Sequence, residues 1–331
     1  MISSLLFICL GITFFSTLFL VWWWIKRARL AGLVARDMNK RSSQRIPELG
    51  GLPVLAGFLL GTLLYLGVRT FAFRTSEFNL EIVAALTTVT FLALIGLLDD
   101  ILGWKIGLQQ WQKPVLCLFA ALPVMMINAG QSVMIMPILG RIDFGIFYPL
   151  IIIPLAISAA SNSFNMLAGF NGLEAGLGII MLGALGFVVW QYEQLGIIAM
   201  LAAIMIAALA AFLLFNHYPA KVFPGDTLTY MVGGLIAVIA IMGNAEKAAL
   251  YLFIPFIIEF FLKARGAWSM ESFAKLKPDS SLTIPYKKIY GLTHAAIAFS
   301  RAFKKRVSET DVVYALYCLE LLFVVVMFVL L

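Results

Sequence analysis

Residues 162–176 read NSFNMLAGFNGLEAG and lie between two long apolar runs. Asn162 and Asn165 stand three positions apart, so in a helix they share one face. Gly169 and Gly172 would then end that helix. An asparagine at membrane depth is costly unless it faces a partner, an ion or a polar cavity. We therefore predict a polar site at a membrane boundary, and the alternative is a loop whose amides only cap two helices.

The composition excludes a soluble globular protein. Hydrophobic residues make up 62% of the 331 positions and charged residues only 12%, whereas charged residues account for about 25% of an average soluble domain. We predict an all-α integral membrane protein, a bundle of about ten transmembrane helices whose cytoplasmic loops form the active site. The whole chain, 1–331, is predicted to be one catalytic domain. The predicted spans are residues 3–25, 49–68, 80–98, 114–130, 146–164, 173–190, 195–215, 227–243, 248–263 and 312–331.

Basic residues collect on one side of the predicted membrane. Twenty of the 24 Lys and Arg residues fall in alternate connections or at their edges, and such an excess marks the cytoplasmic side. This puts both termini outside. The same bias explains the formal net charge of +7 without a nucleic-acid partner. The predicted cytoplasmic loops are residues 26–48, 99–113, 165–172, 216–226 and 264–311.

Acidic and amide residues gather at the cytoplasmic ends of the predicted helices. The third span ends in LIGLLDD, where Asp99 and Asp100 oppose the helix dipole and favour a cation. Lys113 opens the fourth span, and PGDT places Asp226 at a helix start, where an acid is also an ordinary cap. Asp and Asn oxygens without cysteine suit Mg²⁺, and lysine holds phosphate oxygens. The residues therefore predict phosphoryl transfer to or from a lipid. Further candidates are Glu48, Asn162, Asn165, Asn171, Arg265 and, for stacking on a base, Phe223.

The motifs LLDD, Lys113, NSFNMLAGFNGLEAG and NHYPAKVFPGDT together resemble the polyprenyl-phosphate N-acetylhexosamine-1-phosphate transferases. The asparagine-rich motif and the early DMNKRSSQRIPE are most similar to the archaeal and eukaryotic branch, the UDP-N-acetylglucosamine–dolichyl-phosphate N-acetylglucosamine-phosphotransferases. The resemblance spans nearly the whole chain.

This resemblance implies transfer of N-acetylglucosamine-1-phosphate from UDP-N-acetylglucosamine to dolichyl or another polyprenyl phosphate, with release of UMP. The implied cofactor is Mg²⁺, with Mn²⁺ as an alternative. The implied role is the first membrane step of lipid-linked oligosaccharide synthesis for N-glycosylation, in an archaeal-type cell membrane or the endoplasmic reticulum. A homodimer is left open.

The resemblance also assigns roles to individual residues. Whether one aspartate of the pair deprotonates the acceptor or organises metal and lysine stays open, because a phosphate monoester is already mostly dianionic at neutral pH. The implied metal ligands are Asn165 and Asp226, the catalytic residues are Asp99, Asp100 and Lys113, and the substrate-binding residues are Glu48, Asn162, Gly169, Asn171, Phe223 and Arg265.

The last cytoplasmic loop departs from the family, because it carries neither the Arg-His-Arg element of eukaryotic enzymes nor the histidine-rich element of bacterial ones. Arg265 is predicted to replace that contact to pyrophosphate or sugar. Three other hypotheses compete. One is a relative that uses undecaprenyl phosphate or another UDP-N-acetylhexosamine for cell-envelope polysaccharide, and another is a non-catalytic scaffold. The third is a secondary transporter, but its polar residues would lie near the membrane midplane.

Overall fold

The computed structural model describes residues 2–40, 45–136 and 140–331. Residues 41–44 of the predicted first loop thus lie outside the described residues. The helices are α1 (Ile2–Leu30), α2 (Gly51–Phe71), α3 (Asn79–Ile106), α4 (Gln112–Ala120), α5 (Leu122–Met126), α6 (Ile153–Met166), α7 (Leu173–Gln191), α8 (Gly196–Asn216), α9 (Gly225–Met242), α10 (Glu246–Leu252), α11 (Ile254–Arg265), α12 (Leu292–Phe303) and α13 (Glu309–Leu330). A π-helical turn, Tyr148–Ile152, leads into α6. Three short antiparallel pairs join β1 (Val34–Arg36) to β2 (Arg45–Pro47), β3 (Val133–Met136) to β4 (Gly140–Asp143), and β5 (Lys275–Leu276) to β6 (Leu282–Thr283).

Eight helices in the described part of the chain are long and apolar enough to cross a membrane. Each of them overlaps one predicted span, so the predicted class, an all-α multi-pass membrane protein, is confirmed. The number of ten spans stays a prediction. The eight helices are Ser4–Leu30, Gly51–Phe71, Asn79–Gly103, Tyr148–Met166, Leu173–Gln191, Gly196–Asn216, Gly225–Met242 and Glu309–Leu330.

The other two predicted spans are each divided into two short helices. The prediction at 114–130 corresponds to α4 and α5, and Gln112–Met126 is shorter than the roughly 20 residues that cross a bilayer. The prediction at 248–263 corresponds to α10 and α11. Proline explains both breaks. Pro123 and Pro255 lie at the start of the second helix of each pair, and proline has no N–H to continue the first helix.

Helix α9 lies at the centre of the bundle. Its residues 227–242 are all buried, and it packs against α3, α6 and α7. Glycine permits the closest crossings. A Cβ on Gly96 of α3 would lie 2.4 Å from the Asp226 carbonyl oxygen, and one on Gly233 would lie 2.6 Å from the Ala160 carbonyl oxygen of α6. The first turn of α9 is therefore fixed against the end of α3.

The segments predicted as cytoplasmic loops meet at one end of the bundle. The Phe223 N–H donates to the Pro47 carbonyl at 2.8 Å, which joins the fourth segment to the first. Asn39 bridges two others, because its Nδ2 donates to the Gly169 carbonyl at 2.9 Å and its Oδ1 accepts from the Ala274 N–H at 3.1 Å. The segment after α3 joins them through charged side chains at the start of α9.

Candidate active site

Side chains from four helices meet at the start of α9, and we call them the acid–lysine cluster: Asp99 of α3, Lys113 of α4, Asn165 of α6 and Asp226 of α9. Lys113 Nζ lies 2.5 Å from Asp99 Oδ2 and 3.3 Å from Asp226 Oδ2. Asn165 Nδ2 donates to the same Asp226 oxygen at 3.1 Å. The side chains of Asp99, Lys113 and Asp226 keep 14%, 21% and 28% of their surface exposed. A substrate can therefore reach the cluster from the loop end.

Two carboxylates keep Lys113 charged. Burial lowers the pKa of its amine, but the charges of Asp226 and Asp99 and the hydrogen bonds to them outweigh burial, so the pKa is raised overall. Two acidic side chains therefore share one ammonium. Carboxylate oxygens are also ligands that suit Mg²⁺.

Asp100 accepts hydrogen bonds from the start of α9, whereas Asp99 pairs with Lys113. Its Oδ1 accepts from the Asp226 N–H at 2.8 Å, and its Oδ2 accepts from the Thr227 N–H at 3.0 Å and the Thr227 hydroxyl at 2.8 Å. Gly225 makes room for this contact. Its φ is +73°, which favours glycine, and a Cβ there would lie 2.5 Å from Asp100 Oδ2. The PGDT turn thus fixes Asp226 through an acid from another helix.

The residues of the cluster fit a Mg²⁺ ion. The Thr229 hydroxyl lies 2.9 Å from Asn165 Oδ1 and 3.1 Å from the Asp226 carbonyl oxygen. A hydroxyl can accept as well as donate, so the amide of Asn165 can also turn its oxygen toward Asp226. The described residues contain no group of three or more His, Cys, Asp or Glu side chains that could hold a metal. Mg²⁺ needs only one or two protein carboxylates when phosphates and water complete its shell.

Glu48 and Phe223 lie beside each other next to the cluster. Phe223 is half-buried, and its carbonyl accepts from the Gly50 N–H at 2.9 Å. The Trp24 indole N–H donates to the Glu48 carbonyl at 2.8 Å. Burial and then the charge of Asp100 raise the pKa of the Glu48 carboxyl. Both residues therefore lie where the first and fourth segments pair, just before the start of α9.

Asn162 and Gly169 lie near the same site, and each is hydrogen-bonded to other residues of the protein. Asn162 Nδ2 donates to the Ser158 carbonyl at 2.8 Å, and its Oδ1 lies 3.3 Å from the Tyr230 hydroxyl. Gly169 has a φ of +103°, and its N–H donates to Glu174 Oε1 at 2.7 Å. A Cβ on Gly169 would lie 3.0 Å from the ring of Phe273 in the last loop. The turn after α6 is thus covered by that loop.

Asn171 is buried in a charged network rather than facing an open pocket. Only 4% of it is exposed. Its Nδ2 lies 3.1 Å from both Asp37 Oδ2 and Glu309 Oε2, and its N–H donates to Glu309 Oε1 at 2.7 Å. Lys40 Nζ pairs with Asp37 at 2.8 Å. This network joins the first loop, the asparagine-rich stretch and the start of α13.

Arg265 does not contact the acid–lysine cluster. It is exposed, and its Nη2 donates to the Ile289 carbonyl at 2.7 Å while its guanidinium lies 5.3 Å from the Tyr290 ring centre. Lys263, two residues earlier, points into the loop instead, with Nζ 2.5 Å from Ser272 Oγ. The end of α11 therefore organises the last loop, and the predicted contact of Arg265 with pyrophosphate or sugar stays a prediction.

Several residues at this end were not predicted from the sequence. Thr229 lies three positions after Asp226 and so shares its helix face, which is a signal that could have found it. No such signal exists for the partners of Asn171, because Asp37 and Glu309 are 134 and 138 positions away. The residues in question are Asp37, Lys40, Thr227, Thr229, Tyr230 and Glu309.

The fold and the site define a multi-pass helical membrane protein with an acid, amide and lysine site at one end of its bundle. A family model described as glycosyl transferase family 4 matches residues 82–244, a range that contains the whole acid–lysine cluster.

Proteins with established or provisional names extend this match. A protein of Saccharolobus solfataricus is 39% identical over 95% of this chain and 93% of its own length, and its provisional name is UDP-N-acetylglucosamine–dolichyl-phosphate N-acetylglucosaminephosphotransferase. The protein of that name from Dictyostelium discoideum is 32% identical over 70% of this chain and 64% of its own length. A phospho-N-acetylmuramoyl-pentapeptide-transferase of Halalkalibacterium halodurans is 32% identical over 69% of this chain and 71% of its own length. The chain therefore belongs to glycosyl transferase family 4, which sets aside the transporter and scaffold hypotheses.

Proposed function

We propose that this protein transfers N-acetylglucosamine-1-phosphate from UDP-N-acetylglucosamine to dolichyl phosphate or a related polyprenyl phosphate. A phosphate oxygen of the acceptor attacks the sugar-bearing phosphorus of the donor. The bond from that phosphorus to the oxygen it shares with the uridine phosphate breaks, and UMP leaves. The product is a lipid pyrophosphate that carries N-acetylglucosamine, the first intermediate of a lipid-linked oligosaccharide.

The observation that carries this proposal is the acid–lysine cluster at the loop end of a membrane bundle. A charged lysine between two acids, with an amide beside them, suits phosphate oxygens and a divalent cation together. The archaeal relative that shares 39% identity over nearly the whole chain supports the choice of donor and acceptor.

Asp226 and Asn165 would hold Mg²⁺, or Mn²⁺ as an alternative, and Lys113 would hold an oxygen of the transferred phosphate. The ion supplies charge neutralisation on the pyrophosphate. Lys113 stabilises negative charge that develops on the phosphate oxygens, and Asp99 keeps the ammonium in place through its ion pair. Phosphoryl transfer needs little more than such positioning and charge stabilisation.

Glu48, Asn162, Gly169 and Phe223 would surround the nucleotide. Phe223 offers a half-buried aromatic face for the uracil ring. The backbone at Gly169 is held open by its positive φ. Asn171 would act on the pocket through the turn it fixes, because its side-chain amide donates to Asp37 and Glu309.

The site would face the cytoplasm, with both termini outside. The bias of basic residues supports this orientation, and segments that carry the bias contact one another at one end of the bundle.

The test is an assay of label transfer with the detergent-purified protein, Mg²⁺, dolichyl phosphate and radiolabelled UDP-sugars. We expect label from UDP-N-acetylglucosamine to enter the lipid phase with release of UMP, and EDTA to stop the reaction. Asp226→Asn should abolish turnover in a protein that still folds, because its side chain lies at the solvated end of the site.

Other results would revise the proposal in defined ways. Transfer to undecaprenyl phosphate but not to dolichyl phosphate would favour the alternative of a relative that makes precursors of cell-envelope polysaccharide. Full activity of Asp226→Asn, or full activity in EDTA, would overturn the metal assignment. Failure to transfer label from any UDP-sugar, with a folded sample, would overturn the proposed reaction.

A further inference from the structure

A groove of about 560 Å³ opens at the end of the bundle away from the acid–lysine cluster. Residues of α1 and α2 form one wall and residues of α7 and α8 form the other. Small residues keep it open, among them Gly183, Ala199 and Ala203. Its volume falls in the range of ligand pockets, about 300–1,000 Å³.

The groove has the depth of one membrane leaflet. Along α8 it extends from Gly196 to Ile206, a rise of about 15 Å at 1.5 Å per residue. That is half of a hydrocarbon core of about 30 Å. A single hydrocarbon chain that enters from one leaflet therefore fits its length.

Two polar side chains, Arg69 and Tyr65, line this apolar groove. Arg69 is 7% exposed and Tyr65 is 3% exposed. Arg69 Nη1 donates to the Glu77 carbonyl at 3.3 Å, and among the described residues no carboxylate lies within 4.0 Å of its guanidinium. Arg69 lies four positions after Tyr65, so the two side chains share one face of α2.

A purely structural role for Arg69 explains only part of this arrangement. Arg69 lies in the last turn of α2, where the helix dipole favours a cation. The dipole supplies no counter-ion on the groove side, however, and a charge that is removed from water is costly unless it is paired. Because a cation and a hydroxyl line one otherwise apolar groove, and no carboxylate of the described residues pairs with that cation, the chemistry that fits the groove is an anion attached to a hydrocarbon chain.

We propose that this groove binds one anionic membrane phospholipid. Its phosphate accepts hydrogen bonds from Arg69 and Tyr65, and one of its chains lies along α8. A polyprenyl phosphate has the same phosphate-and-chain chemistry. However, Arg69 is 18 residues along α2 from Gly51, which contacts the start of α9, so the two sites are about 27 Å apart. An acceptor lipid held at Arg69 could not present its phosphate to Lys113.

The test measures lipid binding to the purified full-length protein by native mass spectrometry, with the thermal midpoint as a second readout. Phosphatidylglycerol and phosphatidylcholine with identical chains are compared. We expect phosphatidylglycerol to bind about tenfold more tightly and to raise the midpoint more, since hydrogen bonds to a charged group carry that difference. Arg69→Gln should lower the affinity for phosphatidylglycerol to that for phosphatidylcholine. Arg74→Gln, at an exposed arginine of the same connection, should leave the preference unchanged.

A second pair of variants keeps the test decisive if Arg69→Gln fails to fold. A Cβ on Gly183 or on Gly67 would have no atom within 4 Å, so a side chain can begin at either position without a clash. Gly183 lines the groove and Gly67 does not. Gly183→Leu should therefore abolish the binding of both phospholipids, and Gly67→Leu should preserve it.

Three results would overturn the proposal. The first is equal binding of the two phospholipids by the wild-type protein. The second is unchanged binding of phosphatidylglycerol by folded Gly183→Leu. The third is tighter binding of undecaprenyl phosphate than of phosphatidylglycerol in this groove, which would assign it to the acceptor lipid.

Discussion

Asp99 and Asp100 are neighbours in the chain, but their carboxylates have different surroundings. Asp99 pairs with Lys113 in the accessible cluster. Asp100 accepts three hydrogen bonds from the first turn of α9. The sequence shows two equivalent acids, whereas the structure separates an acid beside the phosphate-binding lysine from an acid that positions Asp226.

This difference predicts different consequences for the two asparagine variants. Asp99→Asn should lower kcat by about 10²–10³-fold with little change in thermal midpoint, because it removes a charge that acts at the reacting phosphate. Asp100→Asn should lower both kcat and stability. A lost cap of this kind costs about 0.5–2 kcal/mol. The measurements are label transfer and thermal unfolding in detergent.

Glu77→Gln is a matched control, because Glu77 is an exposed acid away from the site. It should change neither activity nor midpoint. If Asp99→Asn and Asp100→Asn lose stability to the same extent, the separation of roles drawn here is wrong.

Glu48 predicts a dependence of stability on pH. Burial, and then the charge of Asp100, raise the pKa of its carboxyl in the folded state. The stability linked to its protonation is present below the ordinary Glu pKa of about 4.3 and is lost as the pH rises through the raised folded value. Glu48→Gln should therefore be more stable than the wild type at about pH 7.5 and equal to it near pH 4. If the difference in thermal midpoint between Glu48→Gln and the wild type does not grow with pH, the raised pKa of Glu48 is refuted.

The sequence predicts much of the cluster residue by residue. Each member lies where an apolar run ends, on the side of the membrane that carries most of the Lys and Arg residues. Asp99, Lys113, Asn165 and Asp226 satisfy that rule, and they meet. Asn171 satisfies it too, but its partners come from distant parts of the chain. A sequence shows which residues are polar at a boundary, not which of them pair with each other.

At the scale of elements, the crossing of α3 and α9 sets the position of the site. Gly96→Ala would put a methyl group 2.4 Å from the Asp226 carbonyl oxygen and 2.5 Å from the Thr227 nitrogen. Backbone atoms cannot move aside as a flexible side chain can, so the helices must separate. We expect a loss of stability of about 1–3 kcal/mol, with a fall in activity because Asp226 moves relative to Lys113. Thermal unfolding and label transfer measure the two effects.

Gly67→Ala serves as the comparison, because a Cβ there meets no atom within 4 Å. Removing a helical glycine should stabilise α2 by about 0.5–1 kcal/mol. A Gly96→Ala protein as stable and active as Gly67→Ala would show that the crossing tolerates wider spacing.

Hydropathy predicted most helices well but misjudged where some of them end. The prediction 173–190 nearly coincides with Leu173–Gln191. The prediction 80–98 stops at the first acid, yet the helix continues past Asp99 and Asp100 to a kink at Gly103, whose φ is +69°. Charge ends an apolar run, whereas only backbone geometry ends a helix. For the same reason an apolar run can hide a break at proline, as it does in the divided spans.

At the scale of the whole molecule, the distribution of charge predicts which segments share a side. It cannot predict that Asn39 joins the turn after α6 to the last loop, because that contact depends on three separate segments. The last loop lies outside the range matched by the family model. Its arrangement around Lys263 and Arg265 could therefore be found only from the structure.

The orientation of the molecule is a prediction that labelling can test. The segments with 20 of the 24 basic residues contact one another, in their described parts, at one end of the bundle, and the positive-inside rule puts that end in the cytoplasm. Lys288 and Glu193 are exposed at opposite ends. In a protein that lacks the exposed Cys318, Lys288→Cys should react with an impermeant maleimide only in inside-out vesicles. Glu193→Cys should react only in right-side-out vesicles. The reverse pattern would place the acid–lysine cluster outside, and the nucleotide sugar would then have to reach it from that side.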